Sequence, residues 1–165
     1  HLALKVVDGS EVAVKVTDLR GPRENGQEEV DKGVRYAVKQ EAAVLRRIGV
    51  QDHCVNFHSV YTEGLLAYIV MEKCDMTLLQ ALESTPQLTE NIMAQFTRGM
   101  LQGLRAIHDL FVVHRDVKPD NFLCTGENRT VKLCDFGLAR ALSSSSSELT
   151  GVYGTAPFMS PEMVG

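Results

Sequence analysis

The stretch that most limits what this chain can become is Val113-His114-Arg115-Asp116-Val117-Lys118-Pro119-Asp120-Asn121-Phe122-Leu123. Ionisable and amide side chains crowd between two short apolar runs, Phe111–Val113 and Phe122–Cys124. Burying so many charges without partners would be costly. The segment therefore reads as loops leaving brief strands, with the polar groups gathered in one place. Fourteen residues after Asn121 comes Asp135-Phe136-Gly137. Acidic groups beside Lys118 and Asn121 suit a hard cation such as Mg²⁺ together with a phosphate. Oxygen ligands hold the cation, and the lysine meets the phosphate charge.

The rest of the chain supplies a frame for this cluster. Its 165 residues, 44% hydrophobic and 23% charged, suit one globular domain or a piece of one. The net charge of −4 has no basic concentration to attract nucleic acid or anionic lipid. No apolar run reaches the roughly 18 residues that would span a bilayer, and no signal peptide is visible at the start. Cys54, Cys74, Cys124 and Cys134 form no C-x-x-C pair, which argues against a disulfide framework or a structural zinc.

The first part reads as sheet-rich. Glu11–Val16 alternates, with Val12, Val14 and Val16 on one face and Ala13 and Lys15 on the other. Asp8-Gly9-Ser10 signals a turn, making Leu2–Val7 the hairpin partner, and Gly21-Pro22 with Glu24-Asn25-Gly26 marks a loop. A helix follows, with Val34, Val38, Leu45 and Ile48 on one stripe. Glu41 lies on that stripe too. A carboxylate there either reaches water at the stripe's edge or pairs with a buried lysine. Strands are expected at Val55–Tyr61 and Leu65–Glu72 around a Thr62-Glu63-Gly64 turn, then a short helix at Thr77–Leu82. Ile92, Phe96, Met100, Leu104 and Ile107 mark a long helix with Thr89 as N-cap. Val131–Cys134 reads as another brief strand, and Ser143–Ser147 as a solvated loop. The class is α+β, and the crevice between a sheet-rich and a helix-rich part is a natural ligand site.

Singly, each motif has an ordinary explanation, such as a plain turn for Asp135-Phe136-Gly137 or an edge strand for Val12–Lys15. In this order and at these distances they resemble the eukaryotic protein kinases of Ser/Thr type. Val12-Ala13-Val14-Lys15 matches the family's lysine strand, and Glu41 its helix glutamate. His114-Arg115-Asp116 with Lys118 and Asn121 matches the catalytic loop, and Asp135-Phe136-Gly137 the metal-binding motif. Gly154-Thr155-Ala156-Pro157-Phe158-Met159-Ser160-Pro161-Glu162 matches the end of the activation segment, with Ser160 where the family usually has Ala.

The resemblance implies a bilobal fold and the transfer of the ATP γ-phosphoryl group to Ser or Thr hydroxyls of protein substrates, with Mg²⁺. It implies that Lys15 meets the α/β-phosphates and that Glu41 holds Lys15. Asp135 and Asn121 are expected to bind the metal, and Asp116 to orient the substrate hydroxyl and take its proton. Lys118 would stabilise the transferring group, and Thr155 would fix the Asp116 and Lys118 rotamers. Ala13 and Leu123 would sandwich adenine, Met71 would guard the back of its pocket, and Glu72 to Cys74 would form the hinge that reads its edge. His114, Phe136, Leu45 and Phe57 would stack as a column registering the lobes. Lys118, two residues after Asp116, points to Ser/Thr rather than Tyr substrates.

Arg115 beside Asp116 suggests activation by an upstream kinase, with Thr150 as the first candidate site. Cys134 reads either as a reactive thiol facing the nucleotide or as an inert buried one. Against the family pattern the chain reads as a truncated domain. Residues 1–74 would be an N-lobe without its Gly-rich loop, and 75–165 the upper C-lobe through the activation segment. Such a fragment would be poorly stable alone, with part of the long helix and the Asp135 region uncovered. The spacing from Lys15 to Glu41 is longer than usual, and the excess is assigned to a loop around Arg20–Glu28. Two other readings are a pseudokinase scaffold and a small-molecule phosphotransferase of the kinase-like superfamily. An intracellular location, cytoplasmic or nuclear, is expected, with no nucleic-acid or membrane partner.

Overall fold

A computed structural model describes residues 2–4, 11–21, 29–144 and 149–164. Strands β1 (Leu2–Leu4), β2 (Glu11–Asp18), β3 (Phe57–Glu63) and β4 (Leu66–Glu72) form an antiparallel sheet in the order β1-β2-β4-β3. Leu2 pairs with Ala13 and Leu4 with Glu11, so the expected hairpin partner is present; the Asp8-Gly9-Ser10 turn lies outside the described residues. Period two places Ala13, Lys15 and Thr17 opposite Met71, Ile69 and Ala67 on one face. That face turns toward the helix, because Lys15 reaches Glu41 there. The valine face grades from buried Val12 to exposed Val16.

Helix α1 (Lys32–Ile48) starts where Asp31 accepts hydrogen bonds from the backbone N–H groups of Gly33 and Val34. It ends with Arg46 and Arg47 in the last turn, favourable at a helix C-terminus. Its stripe buries Val38, Leu45 and Ile48, with Ala42 and Val44 added, and leaves Val34 half-buried. The extra length before α1 is pinched off at its base. The Gly21 N–H donates to the Glu29 carbonyl at 2.8 Å, and the Asp31 N–H to the Leu19 carbonyl at 2.7 Å. The chain thus returns to where it left; most of the expected loop around Arg20–Glu28 lies outside the described residues.

Two boundaries differ from the sequence reading. Cys54 and Val55 belong to a parallel bridge with Leu133, Val55 donating to its carbonyl at 3.0 Å, so β3 starts only at Phe57. The β3–β4 turn sits at Gly64-Leu65 rather than Thr62-Glu63-Gly64: β3 runs on through Glu63, and Gly64 takes the positive φ of 54°.

The second part is built on helix α3 (Glu90–His108), capped by Thr89 as expected. Before it come β5 (Met76–Thr77) and the short α2 (Leu78–Glu83), for which Thr77 is the cap rather than the first helical residue. Strands β7 (Phe122–Thr125) and β8 (Thr130–Leu133) join β5 in a second antiparallel sheet. A third pairing joins β6 (Val112–Val113) to β9 (Arg140–Ala141). A four-residue α4 (Pro161–Val164) is the last described element.

The buried seam of α3 is Phe96, Gly99, Gly103 and Ile107, while Ile92, Met100 and Leu104 are only half-buried. The glycines let the helix approach β8 and the segment before β3 closely. A Cβ at Gly103 would lie 2.6 Å from the His53 carbonyl oxygen, so only glycine fits. Met93 and Leu101 stand exposed on α3. The described core is continuous from Leu45 and Ile69 through Phe136 to Phe122, Leu133 and Ile107.

Candidate active site

Helix α1 carries Glu41 to the end of β2. Lys15 Nζ lies 2.8 and 3.1 Å from the two Glu41 carboxylate oxygens and 2.9 Å from Asp135 Oδ1. Glu41 is 6% exposed and does pair with a lysine, but Lys15 is 37% exposed rather than buried, because it stands at the mouth of a cavity. Burial works to lower the Lys15 pKa, but Glu41 and Asp135 outweigh it and hold the ammonium above its ordinary value. Burial likewise opposes ionisation of Asp135, and the Lys15 contacts prevail, keeping the carboxylate below its usual range.

The loop after β6 and the activation segment close a second cluster around Asp116. Lys118 Nζ lies 2.8 Å from Asp116 Oδ2 and donates to Thr155 Oγ1 at 2.8 Å. The Thr155 hydroxyl donates in turn to Asp116 Oδ1 at 2.7 Å, closing a three-membered ring of contacts. Asn121 Nδ2 donates to the Asp116 carbonyl at 2.7 Å and to Asp116 Oδ2 at 3.1 Å. Burial opposes ionisation of Asp116, but the Lys118, Thr155 and Asn121 hydrogen bonds hold its pKa down. Gly154 makes the approach of Thr155 possible. Its φ is 116°, and a Cβ there would meet the Arg115 carbonyl oxygen at 2.6 Å.

Of the expected column, one direct ring contact is present. The rings of His114 and Phe136 meet edge-on at 5.2 Å; both are buried, as is Leu45. Phe57 is half-buried against the same core, with the Arg46 guanidinium 5.3 Å from its ring centre. His114 Nε2 lies 2.9 Å from the Cys134 carbonyl, and its Nδ1 accepts from the Asp116 N–H at 3.3 Å. That pattern selects the neutral tautomer protonated at Nε2, and burial lowers the His114 pKa. Asp135 itself sits at φ 58°, ψ 75°, and Arg115 at φ 67°. Left-handed backbone costs about 1–2 kcal/mol at such residues, and here it turns both chains at the edge of the site.

A cavity of about 330 Å³ unites Lys15, Glu41, Asp116 and Asp135, with Val38 and Gly137 in its wall. A larger concavity of about 520 Å³, lined by Leu19, Arg35 and Tyr61 among others, contains no carboxylate, so chemistry rather than size marks the site. Ala13 and Met71 are register partners on β2 and β4, half-buried, while Leu123 lies on β7 in the other sheet opposite Thr77. None of the three lines the cavity that holds the ionisable groups. Glu72 to Cys74 link β4 to β5. Burial pushes the Cys74 and Cys134 thiols each up to about 12, which favours the inert reading of Cys134. Arg115 donates from Nε to the Leu138 carbonyl at 2.7 Å, and its guanidinium lies 4.0 Å from the Tyr153 ring centre. Thr150 is exposed.

The donor set fits Mg²⁺ bound with a phosphate ligand. Asp135 offers a carboxylate 51% exposed, and Asn121, its N–H₂ engaged by Asp116, keeps its carbonyl oxygen. One or two protein oxygens are the usual complement when phosphates and waters complete the octahedron. Among the described residues no three His, Cys, Asp or Glu side chains form a metal cage of their own. Sequence reasoning missed Lys132, Asn56 and the side chain of Glu72, which pair nearby. Lys132 sits between Val131 and Leu133, where alternation suggests a solvent face.

A lysine–glutamate pair, Asp135 and Asp116 share one cavity, and Asn121, outside its lining, is hydrogen-bonded to Asp116; the arrangement suits phosphoryl transfer. The sequence profile of the protein kinase domain matches residues 1–165, and the chain belongs to that family. It is 34% identical over 156 residues to a probable serine/threonine-protein kinase of Encephalitozoon cuniculi, covering 94% of this chain and 27% of that protein. It is 28% identical over 158 residues to serine/threonine-protein kinase sid1 of Schizosaccharomyces pombe, covering 96% and 31%. It is 30% identical over 138 residues to serine/threonine-protein kinase TIO of Arabidopsis thaliana, covering 84% and 10%. The chain thus spans less than a third of the length of these relatives. No helix among the described residues is long and apolar enough to cross a membrane.

Proposed function

We propose that this chain carries the catalytic core of an intracellular Ser/Thr protein kinase, transferring the γ-phosphoryl group of ATP to Ser or Thr hydroxyls of proteins. The observation that carries the reading is the convergence of Lys15, Glu41, Asp116 and Asp135 on one cavity. In this reading residues 1–74 form the N-lobe part and 75–165 the upper C-lobe through the activation segment.

Lys15 binds the α/β-phosphates, and Glu41 keeps its ammonium aimed into the cleft. Asp135 and Asn121 hold Mg²⁺, which neutralises phosphate charge when bound. Asp116 orients the substrate hydroxyl and accepts its proton as that oxygen bonds to the γ-phosphorus and the bond to the β–γ bridging oxygen breaks, ADP leaving. Thr155 and Asn121 hold its carboxylate by hydrogen bonds and so fix its orientation. Lys118, released from Asp116 by substrate, offsets charge on the transferring group. Ala13, Met71, Leu123 and the backbone of Glu72–Cys74 receive the adenine. Substrates are proteins, and Thr150 is the proposed site for an activating kinase.

The test is phosphotransfer from Mg-ATP by the full-length protein on a mixed Ser/Thr/Tyr peptide pool, compared with Asp116→Asn. Phosphate on Ser or Thr that falls at least ~10³-fold in the variant is the expected result. No transfer above the variant, from folded protein treated with activating kinases, would turn the reading to a pseudokinase scaffold. Thr150→Ala is expected to lower activity after such treatment; equal activity removes Thr150 as the activating site.

A further inference from the structure

A second lysine–glutamate pair joins the Glu72–Cys74 segment to the strand that delivers Asp135. Lys132 Nζ lies 2.9 Å from Glu72 Oε2, and its side chain is 8% exposed. The same oxygen accepts from Asn56 Nδ2 at 2.9 Å and from the Asn56 backbone N–H at 3.1 Å. The Glu72 N–H donates back to the Asn56 carbonyl at 2.8 Å, and Lys132 Nζ also reaches the Cys54 carbonyl at 3.5 Å. Three segments therefore meet on one carboxylate oxygen: the end of β4, the linker before β3, and β8. Asn56 Oδ1 is buried with no hydrogen-bond partner among the described residues, so the amide is turned to serve Glu72 and leaves its own oxygen unmatched.

Neither Lys132 nor Glu72 lines the cavity that holds the reacting groups. As a device for stability alone the arrangement is weak, because a well-packed apolar pair commonly does as well as a buried ion pair. Directional contacts do fix geometry, however. Glu72 opens the segment read as the adenine edge, and Lys132 stands three residues before Asp135. We propose that Lys132 is a positioning residue of the nucleotide site, holding the Glu72–Cys74 backbone at a set offset from Asp135 so that one rigid frame receives base and phosphates together. The inference rests on the kinase reading above.

A misplaced frame weakens ligands that span both ends and spares those that use one. The test is calorimetric titration of the full-length protein with Mg-ATP and with adenosine, wild type against Lys132→Met, together with steady-state kinetics. The expected result is ATP affinity about tenfold weaker and adenosine affinity within about threefold, with KM for ATP raised and kcat within about threefold. Should Lys132→Met fail to fold by circular dichroism, Lys132→Gln, which keeps a polar end and removes the charge, is measured for the same split. Equal weakening of both ligands, or of neither, overturns the inference and leaves the kinase reading standing. A wild-type protein that binds neither ligand overturns the kinase reading and the inference with it.

Discussion

Two lysine–glutamate pairs of this domain, Lys15–Glu41 and Lys132–Glu72, are mirror images in burial. In the Lys15–Glu41 pair the acid is buried and the base is 37% exposed. In the Lys132–Glu72 pair the base is buried and the acid is 22% exposed. Glu41 lines a cavity, so water or a ligand can reach it when Lys15 moves. Among the described residues Lys132 meets Glu72 and the Cys54 carbonyl, the latter at 3.5 Å. A buried acid beside a cleft suits a lysine that must exchange partners, whereas a buried base with no such opening suits a fixed joint.

That contrast can be broken most forcefully at Lys15. Lys15→Met is expected to lower phosphotransfer by at least ~10³-fold, worth ~4 kcal/mol in the transition state, while stability falls by only about 1 kcal/mol. Activity and thermal unfolding of the same preparation check both halves. An equally large stability loss would show that Glu41 is not relieved by the cavity.

At the fixed joint the order reverses. Glu72→Leu orphans Lys132 and is expected to cost about 3 kcal/mol of stability in denaturant unfolding. Adding Lys132→Met should restore most of that, giving a coupling of at least ~1.5 kcal/mol in a double-mutant cycle. Additive losses would mean that the pair is not a unit.

A smaller effect is expected at the Asp116 ring. Thr155→Val removes the donor to Asp116 and the acceptor for Lys118. The loss in kcat should be about 10–100-fold, with little change in KM for ATP, as steady-state kinetics would show. Loss of nucleotide affinity instead would place Thr155 with the first pair rather than with the reacting groups.

The mildest prediction concerns pH. The folded-state pKa of His114 lies below 6.5, because burial disfavours its charged form. The unfolded chain therefore binds the proton more readily. Its stabilising contribution is complete above pH 6.5 and is lost as pH falls through the lower, folded value. Asp116 and Asp135, held below 3.8, lose theirs only at more acid pH. Chemical unfolding between pH 7.5 and 5.5 should show the decline, and His114→Gln should flatten it.

The candidate site was legible because its residues fall in short motifs that resemble those of a known family. Lys15, Glu41, Asp116, Lys118, Asn121, Asp135 and Thr155 could each be named, and the stripe of α1 announced the Glu41 problem before its partner was known. Lys132 was not legible. Strand alternation gives it the face opposite Val131 and Leu133, yet all three are buried, because β8 is covered on both sides. Nor was the seam of α3 legible, where Gly99 and Gly103 replace the large residues that periodicity favours.

The sequence by itself determined which chemistry this protein can hold and the helices and strands that carry it, because caps, periodicity and charged loops act over a few neighbouring residues. Only the tertiary structure decided which face of β2 looks into the cleft, how Thr155 closes on Asp116 across 39 residues, and that Lys132 finds Glu72 across 60. Those contacts depend on burial shared between distant segments, and the cost of leaving a charge or a donor unpaired is fixed only once both sides are packed.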